Sequence, residues 1–291
     1  MPEATRVVQQ HRAEALAAAF PPLLVAAERV ANAVAQGVHG RRRVGQGDTF
    51  WQFRPYSSND AASRIDWRAS AKSARLYVRE TEWEAAQSVW LWRDGSASMD
   101  YASAETHPAK RSRADILLLA LASLLLRGGE RVTLLGSDVP PNSGRAVLSR
   151  LAIGLDAAAA GMPPVAPLPR DSQLVLLGDF LGPLDQLDAA VSGFAMHGVR
   201  GHLLQILDPS EETLPFTGRV RFEGFEGEAP IVMSRAEAVR TAYIEKLAAH
   251  RARLRAIARA AHWSFATHRT DRPAPQALLG LYNALATPRG F

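Results

Sequence analysis

The chain has 291 residues, 47% of them apolar and 22% charged, with no cysteine and a formal charge of +5. The lack of cysteine excludes a disulfide scaffold and any thiolate metal centre, and the composition is that of a folded protein with a sizeable core. The positive side is nearly all arginine, lysine standing only at Lys72, Lys110 and Lys246, and this basic balance keeps nucleic acid or an acidic partner in view.

The first 12 residues are polar. Residues 13–36 are Ala-rich and broken at Pro21-Pro22, after which Leu23, Leu24, Ala27, Val30, Ala31 and Val34 recur at helical spacing. Gly37 and Gly40 close that helix. The stretch from Leu16 to Val34 also holds Glu28, Arg29 and both prolines. It falls short of the roughly 20 apolar residues of a spanning helix and lacks the basic start of a signal peptide. A soluble, cytoplasmic protein is the expectation. Arg41-Arg42-Arg43 is a basic link into a different region.

From Gly45 to Trp83 the chain reads as β-rich. Thr49–Phe53 and Leu76–Arg79 alternate in the manner of strands, with the turn signal Ser57-Ser58-Asn59-Asp60 between them. Gly45-Gln46-Gly47 precedes a strand rather than a helix, so it is not a phosphate cradle. Arg54, Arg64, Asp66, Trp67 and Arg68 crowd this region. They fit either a recognition surface for an acidic partner or a packed junction with Asp66 paired to an arginine and Trp67 beneath the sheet.

Beyond Gln87 strands and helices alternate. Strands are expected at Ser88–Arg93, Arg131–Leu135, Gln173–Leu177 and His202–Leu207, and helices at Lys110–Leu126, Ala146–Leu155 and Leu184–His197. A hairpin near Arg219–Phe225, a long helix from Arg235 to Ala261, a strand at Trp263–Thr267 and a helix at Gln276–Leu285 follow. This order predicts an α/β fold: a Rossmann-like, mostly parallel sheet with helices on both faces. The expected domains are a helical segment over 1–40, a β-rich region over 41–86, and the α/β domain with a C-terminal extension over 87–291.

The apolar run Val89-Trp90-Leu91-Trp92 leads directly into Asp94-Gly95-Ser96-Ala97-Ser98, and a second apolar strand ends at Asp179. In open α/β sheets ligands sit outside the carboxyl ends of strands. Two hydroxyls and two carboxylates gathered there suit a hard divalent cation such as Mg²⁺ that keeps some of its waters. Asp94, Ser96, Ser98 and Asp179 are therefore the candidate ion site. The bland alternative is that Asp94 and the serines only cap the segment after the strand. His262, His268 and Asp271 fit no metal spacing, and Asp271 is better read as capping the turn or pairing Arg269.

A strand ending in Asp-x-Ser-x-Ser resembles the metal-ion-dependent adhesion site of von Willebrand factor A domains. The wider set Gly45–Phe50, Arg54-Pro55-Tyr56, Ile65-Asp66-Trp67-Arg68-Ala69-Ser70-Ala71, Arg79-Glu80 and Asp94 to Met99 resembles the bacterial domain-of-unknown-function family 58. The resemblance implies a von Willebrand factor A-like core with an N-terminal helical and β-rich appendage. It further implies a non-catalytic interaction module that partners a MoxR-type AAA+ ATPase and docks acidic groups at the ion site. A complete site of this kind also takes a threonine from the loop after the second strand. Here Gly136–Arg145 holds none: Ser143 is a substitute hydroxyl, and the Arg145 guanidinium could stand in the cation's place or meet the partner. The second reading is an RNA-binding protein using an Arg-rich surface. A metal hydrolase comes last, for want of a positioned base or nucleophile.

Overall fold

The computed structural model describes residues 25–32, 34, 50–57, 60, 61, 63, 65–72, 75–81, 87–144, 146–157, 161–225, 227 and 229–286. The chain divides into two compact units, Val38–Ala86 and the remainder (Met1–Gly37 with Gln87–Phe291). The described helical residues 25–32 fall in the larger unit.

In the smaller unit β1 (Phe50–Pro55) pairs antiparallel with β2 (Tyr77–Thr81). Between them a single helical turn, α1 (Trp67–Ser70), starts where the Asp66 carboxylate accepts the Ala69 N–H, an N-cap. The Ser70 hydroxyl ties this turn to β2 by donating to Asp66 O and accepting from Tyr77 N–H. Val78 is fully buried beneath it.

The larger unit is built on β3 (Ser88–Arg93), β4 (Arg131–Leu134), β5 (Gln173–Gly178), β6 (Arg200–Leu207) and β9 (Ser264–Arg269), in the order β4-β3-β5-β6-β9 with every pairing parallel. All six residues of β5 are buried. Parallel strands lose water from both faces because the crossover helices cover them, which is why the central strands read as unbroken apolar runs. Trp90, Trp92, Leu174, Leu176 and Leu203 point to one face, where α4 (Leu184–Met196) and α6 (Arg240–Ala260) pack through Leu187, Val191, Phe194, Leu254 and Ile257. On the other face lie α2 (Lys110–Arg127), α3 (Ala146–Asp156) and α7 (Ala274–Ala286), with α2 against both α3 and α7. The architecture is Rossmann-like α/β.

The second half of α2 is buried almost all round, from Leu117 to Leu125, so it needs cover on its outer side as well. The helical residues 25–32 supply it. Ala27 and Ala31 are buried, the Ser123 hydroxyl donates to Glu28 at 2.7 Å, and Arg127 reaches Asn32 at 2.7 Å as well as Glu28. After β6 come the short helix α5 (Pro209–Thr213) and a two-stranded ribbon of β7 (Val220–Phe222) and β8 (Ile231–Met233). A 3-10 turn at Ala236–Val239 opens α6, so the regular helix begins five residues later than the periodicity suggests.

One packing contact fixes the register of the β6–β9 edge. Trp263 lies flat on Gly201: a Cβ there would sit 2.0 Å from the indole, whose N–H donates to Val199 O at 3.1 Å. Gly201→Ala is expected to cost about 3 kcal/mol by forcing the ring out of place, a fall of roughly 6–12 °C in Tm. A thermal melt unchanged by that substitution would contradict the packing.

Candidate functional site

With this strand order the chain runs from β3 out to β4 and returns to β5 on the other side of β3, so a crevice opens between the carboxyl ends of β3 and β5. Asp94 directly follows β3 and Asp179 directly follows β5. Gly178 lets them approach, since a Cβ on it would come within 2.9 Å of the Asp94 Cβ. Next, Phe180 takes a positive φ of 49°, which turns the chain sharply after Asp179. The His250 ring pins that turn through Phe180 O at 2.6 Å, and the buried Gln205 amide donates to Asp179 O at 2.8 Å.

The four residues singled out from the sequence form one hydrogen-bonded chain. The Asp94 carboxylate accepts the Ser96 N–H at 2.8 Å, the Ser96 and Ser98 hydroxyls meet at 2.9 Å, and Ser98 donates to Asp179 Oδ2 at 2.7 Å. Burial raises the Asp94 pKa above its ordinary value; its bonds to Ser96 oppose this, and the Asp179 charge adds to it. Behind Asp94, the buried Arg93 guanidinium spans Asp115 at 2.8 Å, Asp94 O at 3.1 Å and Leu155 O.

A buried ammonium that the sequence did not point to reaches this site. Lys110, the first residue of α2, is fully buried, and its ammonium rests 2.8 Å from Asp179 Oδ2 and 2.5 Å from Glu211 Oε1. Burial alone would lower its pKa, but Asp179 and Glu211 together raise it, so it stays charged. Glu211 is itself fixed, since its other oxygen accepts the Asp208 N–H in the capping box of α5. At the mouth of the site Arg111 donates to Gly95 O at 3.2 Å and Ser96 O at 3.1 Å while pairing with Asp100.

These residues do not fit a divalent ion. Asp179 Oδ2 already takes Ser98 and Lys110. Asp94 Oδ1 is committed to the loop backbone, and the two hydroxyls are bonded to each other. Among the described residues no group of three His, Cys, Asp or Glu side chains could hold a metal. Ser143 is exposed on the loop after β4, its amide bonded to Asn142 Oδ1. Arg145 and Arg64 lie outside the described residues.

The remaining candidates belong to the smaller unit. Arg54 clasps Asp60 with two bonds of 2.8 Å, Asp66 caps α1, and Arg68 is exposed. Trp67 is 65% exposed, so it does not fill a gap beneath the sheet. At the C-terminus Arg269 pairs with Asp271 at 2.8 Å, as the sequence suggested. An apolar cavity of about 660 Å³ opens between β4 and α3, lined by Val132, Leu134, Val147, Leu151 and Met162. None of the four strand-end residues borders it.

Sequence reasoning missed Lys110, Glu211, Arg93 and Arg111. Two signals were present: Asp208-Pro209-Ser210-Glu211 is a legible capping box, and Lys110 is one of three lysines in a chain that otherwise uses arginine.

Residues 52–253 match the family model described as "Protein of unknown function DUF58". The chain belongs to the DUF58 family. Uncharacterized proteins of Mycobacterium tuberculosis and Mycobacterium bovis are each 27% identical to it over 281 residues, covering 88% of this chain and 86% of theirs. Among solved structures, the conserved hypothetical protein BatB from Bacteroides thetaiotaomicron is similar with a TM-score of 0.44 and 14% identity, over 69% of this chain and 99% of that one. An aerotolerance-related membrane protein from Bacteroides fragilis gives 0.41 at 14% identity, over 69% of this chain and 99% of that one. A membrane-spanning protein from Vibrio fischeri gives 0.18, also at 14%, over 69% and 100%. Two of these three are named as membrane proteins, and the expectation of a cytoplasmic DUF58 protein is withdrawn on that finding. Among the described residues no helix is long and apolar enough to cross a membrane.

Proposed function

We propose that this DUF58 protein is a non-catalytic interaction module with a von Willebrand factor A-like core. Its strand-end face docks acidic groups of a protein partner, and the proposed partner is a MoxR-type AAA+ ATPase. One observation carries the reading: Asp94, Ser96, Ser98 and Asp179 converge as one bonded chain at the switch point of the sheet. Arg111 adds a partly exposed guanidinium at the rim, where a partner carboxylate would arrive. The geometry also favours binding over catalysis. The Ser98 proton is directed at a carboxylate that is already ion-paired with Lys110, which holds the hydroxyl in place rather than stripping it.

The test is binding of the purified chain to a purified MoxR-type ATPase from the same genome. Asp94→Ala and Arg111→Ala should weaken the complex while the circular dichroism spectrum stays that of the parent. Trp67→Ala should also weaken it, by about 1–2 kcal/mol if the exposed indole is an anchor. Full affinity in all three variants would remove the strand-end face and Trp67 from the proposal.

A second reading has one observation in its favour. Helix α6 carries Arg240, Lys246, Arg251, Arg253, Arg255 and Arg259 against the single acid Glu245. An RNA-binding role for that helix predicts affinity that collapses as salt rises, through counterion release. Arg251 and Arg253 are already paired with Glu212 and Asp185, and Arg255 lies over the Phe265 ring, which leaves the first reading ahead.

A further inference from the structure

The acidic strand ends of this site are neutralised from within, and the device is built from three separate elements. The Lys110 ammonium comes from the start of α2, Asp179 from the end of β5, and Glu211 from α5. Lysine is out of place at a helix start, because the first-turn amides already present positive charge. It is also out of place fully buried, unless its charge is paired. Both costs are met by two carboxylates whose orientations are set independently of it. Glu211 is held by the Asp208 amide, and Asp179 by Ser98 and by the Leu181 N–H at 3.2 Å. The Tyr101 ring closes the cage, its centroid 6.0 Å from the Lys110 nitrogen.

We infer that Lys110 is the resident cation of the strand-end site, and that the site operates without a divalent metal ion. A dication seated between Ser96, Ser98 and the carboxylates would have to take Asp179 Oδ2 from the ammonium and then remain beside that positive charge. The inference deepens the proposed docking role by fixing its chemistry: an acidic partner group meets hydroxyls and Arg111, not a bound ion. Metal titration of the chain alone decides it without any partner, so its failure is distinct from failure of the docking reading.

Calorimetric titration with Mn²⁺ and Mg²⁺, and thermal melts in Mg²⁺ against EDTA, should give no saturable heat and no midpoint shift for the wild-type chain. Lys110→Met removes the charge at nearly constant volume and frees both carboxylates. That variant should gain saturable Mn²⁺ binding and a higher midpoint with Mn²⁺ present. Failure of the folded variant to gain Mn²⁺ binding would overturn the role given to Lys110. If Lys110→Met does not fold, the wild type is compared with Asp94→Ala, where the lysine cage is intact. Equal absence of a Mn²⁺ response in the two supports the inference. Saturable wild-type binding that Asp94→Ala abolishes overturns it.

Discussion

Lys110→Met is expected to lower the stability of the protein by about 3–5 kcal/mol, the usual cost of removing one partner from a buried ion pair. For a domain of this size the Tm should fall by on the order of 10 °C. The reason is the asymmetry between making and breaking such a pair. With the ammonium gone, Asp179 and Glu211 remain in a site where they are 5% and 17% exposed, and neither finds water enough to replace it. Burial already raises the Glu211 pKa, and Lys110 is what opposes that rise. The double variant Lys110→Met with Asp179→Asn should therefore recover part of the loss, a coupling that additive, unrelated substitutions do not show. Denaturant unfolding of the four proteins in the cycle measures it. Strict additivity would mean that the lysine and the aspartate act independently, against the 2.8 Å contact between them.

Acidification should produce the second large effect, and it falls on two histidines that are not part of the bonded chain at the strand-end site. His202 is pushed down to about 4 by burial and the nearby Arg200 charge, and His268 to about 4 by burial and Arg113, with Asp271 opposing. A histidine whose folded pKa lies below its ordinary 6.5 is held neutral by the fold, while the unfolded chain takes up the proton. The stability from each is complete above pH 6.5 and drains away as the pH falls toward about 4. By about pH 5 the expected loss is about 2 kcal/mol for each histidine. Asp94, Asp115 and Glu211, all with raised pKa values, work in the opposite direction once they begin to protonate. Comparing the wild type with a variant that lacks both rings, across the window between neutrality and about pH 5, isolates the histidines. Unfolding midpoints should fall across that window in the wild type, and much less in the double variant His202→Gln, His268→Gln. A wild-type curve that runs parallel to the double variant's across that window would rule out buried neutral histidines.

The fold was legible because its central strands are apolar runs bounded by polar turns. Val89 to Trp92 and Leu174 to Leu177 cannot be amphipathic surface strands, and the helices between them have the length of crossovers. The Asp94 and Asp179 positions were legible for the same reason, since each is the first polar residue after a buried strand. Distant partners were not. Glu211 lies 101 residues from Lys110, and only the folded crossing of α5 over the start of α2 brings them together. For Trp67 the sequence left a surface and a buried reading open, because only the Asp66 cap, which turns that residue outward on a short helix, separates them. Lys110 escaped notice for a related reason. Loop position alone pointed to Arg145, and nothing in local spacing reveals that a lysine at the start of α2 reaches the same carboxylates.

The most direct measurement is an anomalous difference map from crystals grown in millimolar manganese. The expected result is Lys110 Nζ bridging Asp179 and Glu211, with no anomalous peak among Ser96, Ser98, Asp94 and Asp179. A manganese peak coordinated by the two serine hydroxyls, with Lys110 swung away, would contradict an internally neutralised docking site.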